Sequence, residues 1–140
     1  MRSKMEQQRE FSRTIRVKEM KGLGGNAEWI GSEEATEHEK NLLAKRFNLS
    51  EISSMAVSYE IRESQVLGGG YDVLCSLNAQ VTPTDCEISI SEEFDLLVAP
   101  HGTNIDDIIN GDIDIELLDE NNSFDIGEIA AQYLSLFVYM

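Results

Sequence analysis

Three runs of this chain alternate apolar and polar residues with a period of two, and that pattern leaves few folds open. In SSMAVSYEIRES, Met55, Val57, Tyr59 and Ile61 share one face. In YDVLCSLNAQV, Tyr71, Val73, Cys75, Leu77, Ala79 and Val81 do the same, opposite Asp72, Leu74, Ser76, Asn78 and Gln80. In CEISISEEFDLLVAP, Cys86, Ile88 and Ile90 alternate with Glu87, Ser89 and Ser91, and Phe94, Leu96 and Val98 keep the parity beyond Glu92 and Glu93. Successive side chains of a strand point to opposite faces, so each run buries one side and wets the other. VLGGGYD marks a turn, and Pro83 and Pro100 end the second and third runs because proline cannot donate to a ladder. A fourth run sets Ile113, Ile115 and Leu117 against Asp112, Asp114 and Glu116, a strand with an acidic outer face. Ile15 and Val17 share a face with Arg13, an edge-strand candidate.

A sheet with one dry face needs a cover, and the C-terminal stretch FDIGEIAAQYLSLFVYM supplies it. Ile126, Ile129, Ala130, Tyr133, Leu134 and Phe137 recur at helical spacing. Asp125 and Glu128 are spaced as a capping box, an acceptor at the N-cap and a carboxylate three residues on. Removing the Asp125 cap alone is worth ~1 kcal/mol. A second helix is expected to start at Ser32, with Glu33 and Glu34 at the positive end of its dipole, and to run to Phe47 with Leu42, Leu43 and Phe47 inward. GLGGNAEWIG before it reads as a glycine-rich loop around Trp29. The expectation is therefore an α+β domain over residues 11–140: an antiparallel sheet of four or five strands, open or barrel-like, with two main helices near 32–47 and 125–137. A flexible basic tail, residues 1–10, precedes it.

Charge narrows the partners. The net charge is −15, yet residues 1–22 carry seven Lys/Arg against three Glu, and no Lys or Arg follows Arg62. Affinity for nucleic acid rests on cationic neutralisation of phosphate, so the acidic body disfavours direct contact. A basic partner protein fits the sign, and Glu87, Glu92, Glu93, Asp112, Asp114 and Glu116 form the candidate acidic face. The alternative is direct RNA contact through the basic arm: Arg2, Lys4, Arg9, Arg13, Arg16, Lys18 and Lys21.

Chemistry-bearing motifs are sparse. Gly22 to Ala27 matches G-x-G-x-x-A by letter, but no amphipathic helix starts there. An EF-hand template started at Asp106 puts Ile108 at position 3 and Leu117 at position 12, which breaks the ligand set. His38 stands among glutamates without further metal ligands in suitable spacing. Carboxylates on the outer faces of strands are solvated and ill suited to acid–base catalysis. No cofactor, metal, small-molecule substrate or enzymatic activity is expected. Cys75 and Cys86, eleven apart, suggest free thiols rather than a disulfide framework. No run approaches the ~18 apolar residues of a membrane span, and the N-terminus lacks a signal peptide's apolar region, so a cytoplasmic protein without membrane partners is expected.

Three pieces, in order, resemble the YceD-like family of large ribosomal RNA subunit accumulation proteins. EKNLLAKRFNL, residues 39–49, is similar to the family's E-R-x-x-L-A-x-R-F-x-L helix, matching at Leu43, Ala44, Arg46 and Phe47 with Lys40 in the usual Arg place. VLCSLNAQVT, residues 73–82, resembles its G-x-L-x-A-x-V strand through Leu77, Ala79 and Val81, and SEEFDLLVAP adds the acidic-x-F piece at Phe94. FDIGEIAAQYLSL, residues 124–136, resembles I-D-L-G-E-x-x-x-E-x-L-A-L through Asp125, Ile126, Gly127, Glu128 and Leu134, with Gln132 in place of the second Glu. TPTDCEISI keeps one cysteine where the family carries Q-x-C-V-V-T-L-E-P or C-x-x-C, and the end lacks the D-P-Y-P continuation, as in a shortened C-terminus. The resemblance implies a bacterial, non-enzymatic factor in ribosome biogenesis that supports rRNA accumulation. Combined with the charge, it implies binding of a basic ribosomal or assembly protein, with the rRNA protected indirectly.

Overall fold

The alternating runs become the middle of one sheet. The computed structural model describes residues 10–17, 28–104 and 114–139. Its elements are β1 (Thr14–Arg16), β2 (Glu28–Glu34), α1 (Glu37–Arg46), β3 (Glu51–Glu63), β4 (Tyr71–Thr82), β5 (Ile88–Ala99), β6 (Asp114–Leu117), β7 (Ser123–Asp125) and α2 (Ile126–Val138). Five strands form a sheet in the order β2-β3-β4-β5-β6, and β1 pairs with β7 in a separate two-stranded ribbon. The sheet does not close on itself among the described residues. The architecture is α+β, with both helices on the same side as the core.

Period-two patterning decides what is buried. Val57, Ile61, Cys75, Leu77 and Val81 are 0% exposed, and Met55, Tyr59, Val73, Ala79, Phe94, Leu96 and Val98 join them in one cluster. On α2, Ile126, Ala130 and Leu134 are fully buried and Ile129 nearly so; Leu43 and Ala44 bring α1 onto the same cluster. Each buried valine, leucine, isoleucine, methionine or phenylalanine among them contributes roughly 1.5–3 kcal/mol. Gly31 of β2 lies opposite Tyr59, and a Cβ there would come within 2.5 Å of the Tyr59 hydroxyl, so the bare backbone makes room for the ring.

Several expectations are corrected. Ser32, Glu33 and Glu34 do not start a helix; they pair with Ser58, Val57 and Ala56 at the edge of the sheet, and Trp29 lies in the same strand rather than in a loop. The open edge of β3 outcompetes the local capping preference, and α1 starts later. Its N-cap is Thr36, whose Oγ1 accepts from the Glu39 backbone N–H while the Glu39 carboxylate accepts from the Thr36 N–H. The capping box therefore belongs to α1.

The fourth run is a strand, but β6 joins β5 in parallel, pairing Leu96 with Asp114 and Val98 with Glu116. A parallel partner needs a crossover of a dozen residues or more, and the interval between Ala99 and Asp114 is long enough for one. Register puts Asp114 and Glu116 on the side of Leu96 and Val98, and Leu118 continues that parity into the core at 3% exposure. Leu117, expected inside, is exposed. The expected alternation is thus reversed.

Cys86 also departs from expectation. It precedes β5 and is exposed, whereas Cys75 is buried and its thiol is pushed up to about 12 by burial, with Asp95 adding to the effect. A disulfide reagent at mildly alkaline pH should titrate Cys86 alone in the native protein and both cysteines in denaturant. Fast reaction of both in the native protein would contradict the buried position of Cys75.

Candidate interaction face

The residues of the three motif pieces meet in space. Arg46 of α1 grips Glu128 of α2 with both guanidinium nitrogens at 2.9 Å, and one of them also reaches Glu10 at 2.9 Å. Glu128 holds its partner so firmly that the Arg46 guanidinium titrates above its ordinary value. Glu128 is therefore bound to Arg46 and to the Gln132 amide, whereas the sequence pattern assigned it to closing a capping box. Phe94 stacks on Tyr133 with ring centroids 3.8 Å apart, joining the second motif piece to the third. The Arg46 guanidinium lies over the Phe47 ring at 4.9 Å. Leu43, Ala44, Leu77, Ala79, Val81, Ile126, Gly127 and Leu134 are all buried.

Asp125 is the N-cap of α2, and it does more than cap. Its Oδ1 accepts from the Glu128 N–H at 3.1 Å and the Arg13 N–H at 2.8 Å, and its Oδ2 accepts from the Ser12 hydroxyl at 2.7 Å. Two of these bonds reach the N-terminal segment, so Asp125→Ala should destabilise by about 2 kcal/mol, beyond the loss of a simple cap. Asp125→Asn, which keeps one acceptor, should lose about half of that. Urea denaturation of the two variants measures both.

Arg13 is not available to a ligand. Its guanidinium forms a two-armed pair with Glu39 at 2.7 and 2.8 Å, reaches Glu33 at 3.2 Å and lies over the Phe11 ring at 4.7 Å. Arg16 is exposed. Arg2, Lys4, Arg9, Lys18 and Lys21 lie outside the described residues, as do the segment Gly22 to Ala27, the start of the calcium-type pattern at Asp106, and Asp112.

The helices cover one face of the sheet; the other is open around Ile30 and Leu74, while Leu97 and Ala99, which share its parity on β5, are buried. Register lays rows of side chains straight across the open face. Ile30, Glu60, Leu74 and Asp95 form one row, and Ser32, Ser58, Ser76 and Glu93 form the next. Beyond the first row lie Arg62 and Asp72. Ile30 is 67% exposed and Leu74 44%, among neighbours that are mostly serine and carboxylate. A shallow basin of about 560 Å³ opens there over Leu74, walled by Glu60, Arg62, Asp72, Asp95 and Val66. Within it Arg62 reaches Glu60 at 3.4 Å. Register places the carboxylates Glu34, Glu60, Asp72, Glu93 and Asp95 on this face together with the Arg62 guanidinium.

The expected acidic residues divide accordingly. Glu93 lies on the open face. Glu87 lies just before β5 and accepts from the Ser53 hydroxyl at 2.8 Å. Glu92 has the parity of Ile90 and Phe94 yet is exposed, on a stretch of β5 that β6 does not reach. A charge on the core-facing side of such a stretch discourages addition of another sheet. Asp114 and Glu116 share the helix side. Glu34 was expected in a helix, and Glu60, Asp72 and Asp95 were not expected at the contact; the parity of Asp72 was legible, but its neighbours across the sheet depend on register. Among the described residues no helix is long and apolar enough to cross a membrane, and no group of three or more His, Cys, Asp or Glu is placed to hold a metal ion.

No protein-family model, curated protein or solved structure matches this chain.

Proposed function

We propose that this protein is a YceD-like, non-enzymatic factor that supports accumulation of large-subunit ribosomal RNA in the bacterial cytoplasm. It acts by binding a basic ribosomal or assembly protein through its acidic surface. The observation that carries this reading is the convergence of the motif pieces. Arg46 and Glu128 are 82 positions apart yet form a two-armed pair, and Phe94 stacks on a residue of the third piece. Most of the matched apolar residues are buried, which leaves recognition to the surface, and the exposed sheet face carries the negative sign that suits a basic protein. Direct rRNA contact by the basic arm is the weaker alternative, because Arg13 is held by Glu39 and Glu33.

Depletion in the source organism should lower the ratio of large- to small-subunit rRNA. Capture of ribosomal proteins should survive RNase and weaken as salt rises. An unchanged rRNA ratio would remove the assembly role, and loss of every partner on RNase treatment would favour the arm. In that case rRNA affinity should vanish on deleting residues 1–22.

A further inference from the structure

We infer that the open sheet face around Leu74 is where the partner docks, and that it takes a segment carrying lysine or arginine beside aliphatic side chains. The inference rests on the proposed binding of a basic protein and adds the place and the chemistry. Of the acidic face expected from Glu87, Glu92, Glu93, Asp112, Asp114 and Glu116, Glu93 lies on this side of the sheet, and register sets beside it the row Ile30, Glu60, Leu74 and Asp95.

Two observations select the occupant. Among the described residues Glu60, Asp72 and Asp95 rim the basin beside Arg62, so three carboxylates face one cation there and the described rim favours positive charge. Its floor is apolar, because Leu74 is exposed to 44% and Val66 at the wall to 78%. A bare cation would leave that floor wet. A lysine or arginine lays its aliphatic stem on apolar surface while its head meets a carboxylate, and a neighbouring leucine or valine of the same segment covers Ile30. Strands lie about 4.8 Å apart, so the row from Glu60 to Asp95 spans roughly 10 Å, enough for two cationic heads with an aliphatic group between them. Charge steers the encounter and the apolar floor selects among cations.

The test uses the full-length protein and a fluorescein-labelled amphipathic peptide of lysine and leucine. Wild type should bind it. Asp72→Asn combined with Asp95→Asn should weaken binding by roughly tenfold, and Leu74→Ser by roughly threefold. The matched pair Asp85→Asn with Glu120→Gln alters two exposed carboxylates off this face and should stay within about twofold. A lysine–serine peptide of equal charge should bind more weakly than the lysine–leucine peptide. The docking face is wrong if the two carboxylate pairs weaken binding equally, if Leu74→Ser has no effect, if the two peptides bind alike, or if wild type does not bind. Any of those results, with a lowered rRNA ratio on depletion, removes the docking face and leaves the assembly role. Intact peptide binding with an unchanged rRNA ratio does the reverse.

Discussion

Gly127→Ala should lower the stability of this protein by about 2–3 kcal/mol and its Tm by roughly 8–10 °C, even though alanine is the better helix former. Inside an ordinary helix the exchange would gain about 1 kcal/mol. Here a Cβ at Gly127 would stand 2.7 Å from the Phe11 carbonyl oxygen and 2.9 Å from the Arg13 nitrogen, and both are main-chain atoms that cannot rotate aside. The Ile126 N–H donates to the Arg13 carbonyl and the Arg13 N–H donates to Asp125, so the same few residues hold the two backbones together. Opening that gap for a methyl group breaks bonds on both sides of it. Gly68 is the control, since nothing lies within 4 Å of a Cβ there and Gly68→Ala should be neutral or slightly stabilising. Gly31→Ala should fall between them, because its obstacle is a tyrosine side chain rather than backbone. Thermal melts of the three variants give the ranking, and a Gly127→Ala protein as stable as wild type would refute the close approach.

Glu39→Ala should cost about 2–3 kcal/mol, because one carboxylate serves two structures. It closes the cap of α1 by accepting from the Thr36 N–H at 2.8 Å, and it holds Arg13 by two bonds that tie the N-terminal segment to the helix. The Arg13 guanidinium, helped by the Thr36 backbone, holds the Glu39 carboxyl down to about 2, below the 4.5 of an unperturbed carboxyl. Because the folded value is the lower one, the stabilisation is complete above pH 4.5 and is lost as pH falls from there towards 2. Both side chains keep some contact with solvent, at 25% and 19% exposure, so the pH-dependent part is about 1–2 kcal/mol. Urea midpoints measured between pH 6 and pH 2.5 should fall in wild type, and the fall should be shallower in Glu39→Gln. A double-mutant cycle of Arg13→Ala and Glu39→Ala should show coupling of at least about 1 kcal/mol. Additive losses would mean that the pair is an exposed contact of little consequence.

These two sites show how far one-dimensional reading reaches. Asp125 is recognisable as a cap because capping depends on neighbours three positions away, and α2 does start after it. Glu128 has the same local signature, yet it binds Arg46, because a carboxylate goes to the strongest donor in reach and that donor comes from another helix. Thr36 and Glu39 carried the capping-box spacing as plainly as Asp125 and Glu128 did, but Ser32 with its two glutamates masked them. Only the pairing of Ser32 with Ser58 shows why Ser32 is in a strand.

What the sequence by itself determined is which residues face inward along β3, β4 and the second half of β5, and that α2 is an amphipathic helix covering them. Both follow from the fixed geometry of an extended or helical chain, in which the face of a side chain is set by its position. What only the tertiary structure decided is which elements lie side by side and in which direction. The parallel approach of β6 turned an expected acidic outer face towards the helices. Register across four strands gathered Ile30, Glu60, Leu74 and Asp95 into one row on the face away from the helices. The fit of α2 against the Phe11–Arg13 backbone made Gly127 a steric requirement. Each depends on contacts between residues far apart in the chain, and no local period encodes those distances.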